Sequence, residues 1–224
     1  MTNFIKKFLL IVPLICISNF IFCQSNEITI RFIGNCGFYM TDGEFNFYID
    51  FPYKSGAYNY MEYDTSEIDS IKANAIFIFT HRHADHYSKK LLKKLHGLKF
   101  DPLNISELEK LGESIPDFEI KTFKTEHKIY GFPFKHYSYL IIWHGKKIYI
   151  SGDTGDFDDL GKIKDLDWAF VNPWLYMNAQ NEKVHINAKK IGIYHLYPYQ
   201  KINREIPNNI LILLNQGEKM IIPY

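Results

Sequence analysis

Cysteine is scarce in this chain, and its placement excludes a disulfide-stabilised fold. The sequence has three cysteines, of which Cys16 and Cys23 lie near the N-terminus. If the N-terminal segment is removed, Cys36 stands alone and no internal disulfide can form. A lone cysteine of this kind is more typical of a small buried residue than of a nucleophile. Stability must therefore come from the packed interior.

Repeats, low-complexity tracts and linkers rich in proline or serine are also absent, and strand-like segments extend from residue 27 to the C-terminus. The 224 residues suffice for one domain with a sizeable core but are too few for two comfortable ones. A basic excess is missing, because without Lys6 and Lys7 the net charge is about −1. We therefore predict one domain over residues 24–224 and no nucleic-acid partner, which would need a basic face.

The longest apolar run precedes this domain. Lys6 and Lys7 are followed by apolar residues 8–22 and then by polar residues, a layout typical of a secretory signal peptide. The run is shorter than the roughly 20 residues that span a bilayer, and Pro13 interrupts it, which disfavours a stable membrane anchor. We therefore predict a signal peptide over residues 1–23 and an exported protein, either periplasmic or secreted.

Hydrophobic patterning predicts many strands. Residues 28–32 alternate as a half-buried strand, and residues 38–40 and 45–49 form a hairpin that ends at Asp50. Residues 75–79 are apolar throughout, as expected of a central strand covered on both faces. Further strands are predicted at 118–125, 137–143, 147–150, 169–171, 191–194, 210–214 and 220–222. Polar residues with functional chemistry recur just past strand ends, where open sheets bind ligands.

A helix is predicted after the central strand. Ser88 is a suitable N-cap, and Gly97 fits the end of the helix. Its apolar side is formed by Leu91, Leu92 and Leu95. The local pattern is therefore a strand, a histidine-rich segment and a helix.

The histidine-rich segment is the run His81-Arg82-His83-Ala84-Asp85-His86. It offers three imidazoles and a carboxylate, nitrogen and oxygen donors that suit zinc. In an extended segment residues two apart point the same way, so His81 and His83 can bind one ion while Asp85 and His86 turn towards a second. The alternative is a surface loop of scattered histidines, and the tight spacing between a strand and an N-capped helix argues against it.

This run resembles the HxHxDH metal-binding motif of the metallo-β-lactamase superfamily, and other landmarks agree in order. Residues 34–38 and the hairpin ending at Asp50 are similar to the opening of its small hydrolase and lactonase-like members. Residues 148–154 resemble the strand and GDT segment that present a bridging aspartate, and His195 resembles the closing histidine. The likeness covers residues 27–224 and implies an α/β fold, a four-layer αββα sandwich.

The resemblance also implies a ligand set for two Zn²⁺ ions, with Mn²⁺ or Fe²⁺ as alternatives. His81, His83 and a third histidine would bind the first ion. The second would be bound by Asp85, His86 and His195, with Asp153 bridging the two.

The third histidine has several candidates. His127 is favoured, because it ends a strand upstream of the GDT segment, as the family places this ligand. His136 begins a strand and His144 lies in a hairpin turn, so both have ordinary structural explanations.

Zinc ions held in this way would lower the pKa of a shared water from about 16 towards 7, which favours hydrolysis. We therefore expect a hydrolase that acts on a carbonyl or phosphoryl centre of a small molecule such as a lactone, lactam or ester, with Asp85 orienting the nucleophile. A non-catalytic metal-binding protein of the same fold is the alternative from another class. A phosphodiesterase or nuclease is a weaker one, because the chain lacks a basic face.

The surroundings of the pocket are harder to predict. The candidate substrate contacts are Tyr53, Tyr58, Trp174 and His185. The tyrosine-rich segment 51–63 could equally pack on the core, and His185 could belong to a plain loop. Many relatives have a helix where this chain has residues 172–181, which we predict to be a loop.

Overall fold

Two six-stranded sheets dominate the computed structural model, which describes residues 26–129, 132–200 and 206–224. The first sheet contains, in spatial order, β14 (Lys219–Pro223), β1 (Glu27–Gly34), β2 (Gly37–Thr41), β3 (Asn46–Ile49), β4 (Ala75–Ile78) and β5 (Leu98–Phe100). The second contains β13 (Ile210–Ile212), β12 (Ala188–Ile193), β11 (Leu166–Val171), β10 (Lys146–Ile150), β9 (Tyr137–Trp143) and β6 (Phe118–Lys124). A small ribbon pairs β7 (Lys128–Ile129) with β8 (Phe132–Pro133). The predicted signal peptide lies outside the described residues.

The two sheets pack face to face through aromatic side chains. Phe47 of β3 stacks on Phe118 of β6 with ring centroids 4.8 Å apart, and it meets the edge of Trp143 at 5.0 Å. Phe38 of β2 lies 4.8 Å from Phe170 of β11. Aromatic pairs of this kind add to the free energy gained from burial, so the inner faces form the principal core.

In the part of the chain that the structure describes, four short α-helices lie outside the sandwich: α1 (Ser66–Asp69), α2 (Lys89–Leu92), α3 (Ile105–Glu109) and α4 (Pro173–Asn181). Arg31, on the outer face of β1, donates to Glu67 of α1 at 2.7 Å, and Leu92 of α2 is buried against the core of the first sheet. Leu175 and Ala179 of α4 are buried on the outer face of the second sheet. The predicted four-layer αββα architecture is confirmed, although its helical layers are thin.

The predicted loop at 172–181 is wrong, because most of this segment forms α4. Asn172 caps the helix by accepting a hydrogen bond from the Leu175 amide at 2.8 Å. Pro173 occupies the first turn, where its missing N–H removes no helical hydrogen bond. The Asn-Pro pair, which is common in turns, is here a helix start.

Ser88 caps α2 as predicted, but the helix ends at Leu92, before Leu95. Within the described ranges, no helix is both long enough and apolar enough to cross a membrane.

The direction of the parallel strands places their carboxyl ends in both sheets on the same side of the sandwich. β4 runs parallel to β3 in the first sheet, and β10, β11 and β12 run parallel to one another in the second. Their carboxyl ends therefore point to a common edge of the sandwich. The segments that follow these strands form the site described next.

Candidate metal centre

Seven side chains with metal-binding chemistry meet at this edge of the sandwich. They follow β4 (His81, His83, Asp85 and His86), β6 (His127), β10 (Asp153) and β12 (His195). They fall into two groups that share Asp153, and within each group the candidate ligand atoms lie within 4.8 Å of one another. These are the seven residues that the sequence predicts as ligands.

The first group consists of three imidazoles and one carboxylate oxygen. Nδ1 of His83 lies 2.9 Å from Nε2 of His81 and 3.2 Å from Nε2 of His127. Oδ2 of Asp153 faces the same space, 3.7 Å from Nε2 of His81. Three nitrogen atoms converging on one point are an ordinary arrangement for ligands of a single cation such as zinc.

The second group is more acidic. Oδ1 of Asp153 lies 2.9 Å from Nε2 of His86 and 3.0 Å from Nε2 of His195. Oδ2 of Asp85 lies 3.3 Å from the same His195 nitrogen. The two oxygens of Asp153 thus face different groups, which is the orientation that a bridging carboxylate requires.

The donor atoms of the two groups are arranged for binding metal ions rather than for hydrogen bonding to one another. Oδ1 of Asp153 approaches two imidazole nitrogens closely, yet it forms no hydrogen bond of good geometry, and neither does the buried Oδ1 of Asp85. Buried polar atoms without partners are costly, so such a cluster needs an additional polar or charged species. The residues present therefore fit a pair of divalent metal ions.

The protonation states of the first group and of the two carboxyls support this fit. Burial lowers the pKa of His81 and His127 and lowers that of His83 to about 4. Burial alone would raise the pKa of Asp85 and Asp153, but neighbouring imidazoles outweigh it and lower both. The first group therefore offers neutral imidazoles at neutral pH, and both carboxyls are ionised, which are the forms that bind metal.

His86 and His195, in the second group, have the opposite shift. Burial alone would lower the pKa of His86 and His195, but the neighbouring carboxylates outweigh it and raise both. These two imidazoles would therefore have to release a proton to bind a metal ion.

Asp50 and Thr80 orient His81 and His86 through the Nδ1 atoms of these two rings. The Asp50 carboxylate accepts hydrogen bonds from the Thr80 amide and hydroxyl, both at 2.7 Å, and lies 2.9 Å from Nδ1 of His86. The Thr80 hydroxyl also lies 3.1 Å from Nδ1 of His81. Carboxylate partners of this kind fix the ring orientation of ligating histidines.

Cys36 is buried, as predicted, and belongs to this supporting layer. Its Sγ lies close to Asp50 and His86, but the thiol donates to the Asp85 carbonyl oxygen at 2.8 Å. Burial raises the pKa of the thiol. Cys36 is therefore a neutral hydrogen-bond donor that holds the histidine-rich segment.

The three candidates for the third histidine ligand have different positions and partners in the structure. His136 is fully buried and uses both ring nitrogens, since Nδ1 lies 2.7 Å from the Thr125 hydroxyl and Nε2 accepts from the Asp153 amide at 2.8 Å. His144 lies at the opposite end of the second sheet, 2.9 Å from the Asp42 carboxylate. Of the three candidates, only His127 faces the first group.

A cavity of about 370 Å³ opens over the two groups. Its lining consists of Tyr58, Tyr60, His83, Asp85, His127, Asp153 and Tyr197. Tyr58, one of the predicted substrate contacts, therefore lines this cavity. Trp174, another predicted substrate contact, does not belong to this lining; its Nε1 donates to the Asp153 carbonyl oxygen at 3.1 Å, and its ring and that of His195 meet edge to face.

The structure contradicts two of the predicted substrate contacts. Tyr53 is fully buried between Phe51 and Tyr63, so its ring belongs to the core. His185 is exposed and precedes the amino end of β12, at the edge of the sheet opposite to His195.

Sequence reasoning missed Tyr60 and Tyr197 as cavity residues. Tyr60 lies within the tyrosine-rich segment, but no periodicity distinguishes its exposed tyrosines from its buried ones. Tyr197 follows the end of β12 in a segment that is not a strand, where His195 has φ of 64°, so strand alternation gives no direction for its side chain.

Comparisons with solved structures identify the fold. No protein-family profile and no curated protein matches the sequence. A protein described as a metal-dependent hydrolase from Parabacteroides distasonis ATCC 8503 is similar, with a TM-score of 0.61, 21% identity and coverage of 84% of this chain and 94% of that one. The metallo-β-lactamase fold protein YhfI from Bacillus subtilis gives a TM-score of 0.62, 13% identity and coverage of 88% and 99%.

A more distant likeness covers part of CmlA, a diiron β-hydroxylase from Streptomyces venezuelae. Its TM-score is 0.50 at 12% identity, covering 76% of this chain and 45% of that one. The chain therefore has the metallo-β-lactamase fold, as its motifs predict.

Proposed function

We propose that this protein is a hydrolase that uses two zinc ions to cleave a lactone, lactam or ester-type bond in a small molecule. The observation that carries the proposal is the Asp153 carboxylate, whose two oxygens face two separate sets of ligand atoms. The similar protein from Parabacteroides distasonis, which is described as a metal-dependent hydrolase, gives further support.

The chain's own residues suit hydrolysis. Bound metal ions would polarise the scissile bond and lower the pKa of the attacking water. Oδ2 of Asp85 faces His195, while its buried Oδ1 has no hydrogen-bond partner among the described residues. That oxygen can orient a water and accept its proton.

Zinc is proposed because imidazole and carboxylate donors suit it. The same donors also bind iron and manganese, and CmlA is described as a diiron protein. Iron or manganese is therefore the alternative metal.

We also propose that the protein is exported and acts on a small molecule rather than on nucleic acid. The N-terminal signal-like segment supports export, and the near-neutral net charge disfavours binding to nucleic acid. A periplasmic or secreted protein would meet its substrate outside the cytoplasm.

A substrate panel tests the proposal. Lactones, β-lactams, carboxylic esters, thioesters and phosphodiesters would be incubated with the zinc-loaded protein, the EDTA-treated protein and the EDTA-treated protein reloaded with zinc. We expect turnover of at least one acyl substrate that EDTA abolishes and zinc restores. Metal-loaded protein that hydrolyses nothing would favour a non-catalytic metal-binding role, and cleavage of phosphodiesters alone would favour the nuclease alternative.

The Asp85→Asn variant provides a residue-level test. Replacing the carboxylate removes the proton acceptor, so we expect kcat to fall by about 100-fold or more. The measurement is kcat on the best substrate of the panel, together with metal content by elemental analysis. Near-normal kcat in the metal-loaded variant would exclude this role for Asp85.

A further inference from the structure

One wall of the cavity is made of tyrosines that the proposed chemistry does not use. Tyr58, Tyr60 and Tyr197 line the cavity beside the ligand residues, and we call them the tyrosine wall. Tyr60 meets His195 edge to face with ring centroids 4.2 Å apart. The wall therefore begins next to one proposed ligand and extends away from it.

The rings of this wall are aligned. Tyr60 and Tyr197 stack with centroids 4.3 Å apart and planes 10° apart, and Tyr199 stacks behind Tyr197 at 5.3 Å and 17°. Stacked rings hold one another rigidly, so the part of the wall that faces the cavity is preorganised.

Tyr58 completes the wall at a cost to folding. Its side chain is 58% exposed, and both Tyr58 and Asn59 have left-handed backbone angles, with φ of 54° and 64°. Non-glycine residues rarely adopt this region, and an exposed phenol gains little from burial. Contact with a bound molecule would explain why a tyrosine is held there.

The residues that line the rest of the cavity indicate which class of molecule it binds. Apart from the proposed metal ligands, the described lining of this cavity consists of the tyrosine wall and includes no lysine or arginine. An anionic substituent distant from the metal ions would thus find no partner in that lining, whereas a flat ring would find aromatic surface. The cavity volume falls within the range of small-molecule sites.

We propose that the substrate carries a flat aromatic ring next to its scissile acyl bond and that the tyrosine wall binds this ring. The inference rests on the proposed function, because it assigns a substrate class to the same site. The ring packs against Tyr58 and against the edges of Tyr60 and Tyr197, whose faces stack on each other and on Tyr199, and the acyl group faces Asp85 and Asp153.

Equilibrium binding tests this without requiring turnover. Hydrolysis of an acyl substrate yields a carboxylic acid, so the probes are 3-phenylpropanoate and 3-cyclohexylpropanoate, which have equal carbon numbers and differ in ring flatness. Titration calorimetry on the zinc-loaded protein should give a Kd for 3-phenylpropanoate that is roughly three- to tenfold lower than the Kd for 3-cyclohexylpropanoate. This is the range expected of aromatic contacts. Glucuronate serves as a probe for sugar binding.

Variants assign the preference to the tyrosine wall. Tyr197→Leu should reduce the ratio of the two Kd values towards one, and Tyr197→Phe should restore it. Tyr58→Leu, which changes an exposed side chain, should reduce the ratio even if Tyr197→Leu folds poorly. Tyr224→Leu is the matched control, because Tyr224 stacks on His144 at the opposite end of the second sheet.

Equal affinities for the two acids, no binding of either, or a preference that survives in Tyr58→Leu and Tyr197→Leu would each overturn the inference. Tighter binding of glucuronate than of 3-phenylpropanoate would contradict the inference and indicate that the substrate carries a sugar instead of an aromatic ring. A failed substrate panel would instead count against the proposed function, since the binding preference does not depend on turnover.

Discussion

At the scale of single residues, the candidate metal centre depends on side chains that are not proposed as metal ligands themselves. Asp50 holds both Thr80 and His86, and the Asp153 amide donates to His136. Each of these contacts restricts a ring or a carboxylate to one orientation. Such restriction is what lets several ligands converge without large rearrangement on binding.

Asp50→Asn should weaken metal binding without unfolding the protein. An amide cannot accept from His86 and from both Thr80 donors as the carboxylate does, so we expect zinc affinity to fall roughly 10- to 100-fold. Competition with a chromogenic chelator measures the Kd. The control is Asp42→Asn, which alters another carboxylate–histidine pair, with His144, at the far end of the sandwich. Equal effects of the two substitutions would contradict the role of Asp50.

Gly152→Ala should destabilise the fold through a close contact behind the centre. Gly152 has φ of 60°, and an added Cβ would clash with Nε2 of His136 and lie 2.8 Å from Cβ of Thr80. We expect the free energy of unfolding to fall by about 2 to 4 kcal/mol, as urea denaturation would measure.

Gly145→Ala is the control for Gly152→Ala, since its φ is 72° and an added Cβ meets nothing within 4 Å. This variant carries the backbone strain without the contact. If both variants lost the same stability, crowding at Gly152 would not be the cause.

At the scale of elements, most strands were predictable, whereas the short helices and turns were less so. The buried pattern of β4 and the alternation in β1 are local signals. The HxHxDH run is equally local, because its spacing lies within six residues. Helix α4 was missed because its start resembles a turn, and its stability depends on burying Leu175 and Ala179 against a distant sheet.

The Asn172 side chain couples α4 to the segment that carries Asp153. Its Nδ2 donates to the carbonyl oxygens of Gly152 and Thr154 at 2.8 and 2.7 Å, while its Oδ1 caps the helix. Asn172→Ala should therefore lower the free energy of unfolding by about 2 to 4 kcal/mol.

Ser88→Ala removes the cap of α2 alone and should cost about 1 kcal/mol. The comparison uses urea denaturation of both variants. A loss in Asn172→Ala no greater than that in Ser88→Ala would show that the bonds to Gly152 and Thr154 contribute little.

At the scale of the whole molecule, the centre joins the two sheets. Four of its candidate ligands follow a strand of the first sheet, and three follow strands of the second. The histidine-rich run alone could not reveal this, since His127, Asp153 and His195 meet it only through the stacking of the sheets. Metal ions bound there would cross-link the sandwich and stabilise it by mass action.

The most direct test is the number of metal ions bound per chain. Elemental analysis of zinc-loaded protein after removal of free metal should give about two ions per chain, as a two-metal centre requires. His127→Ala should retain about one, because the Asp85, His86 and His195 group stays intact. A wild-type protein that binds one ion or none, or a His127→Ala variant that still binds two, would contradict the account.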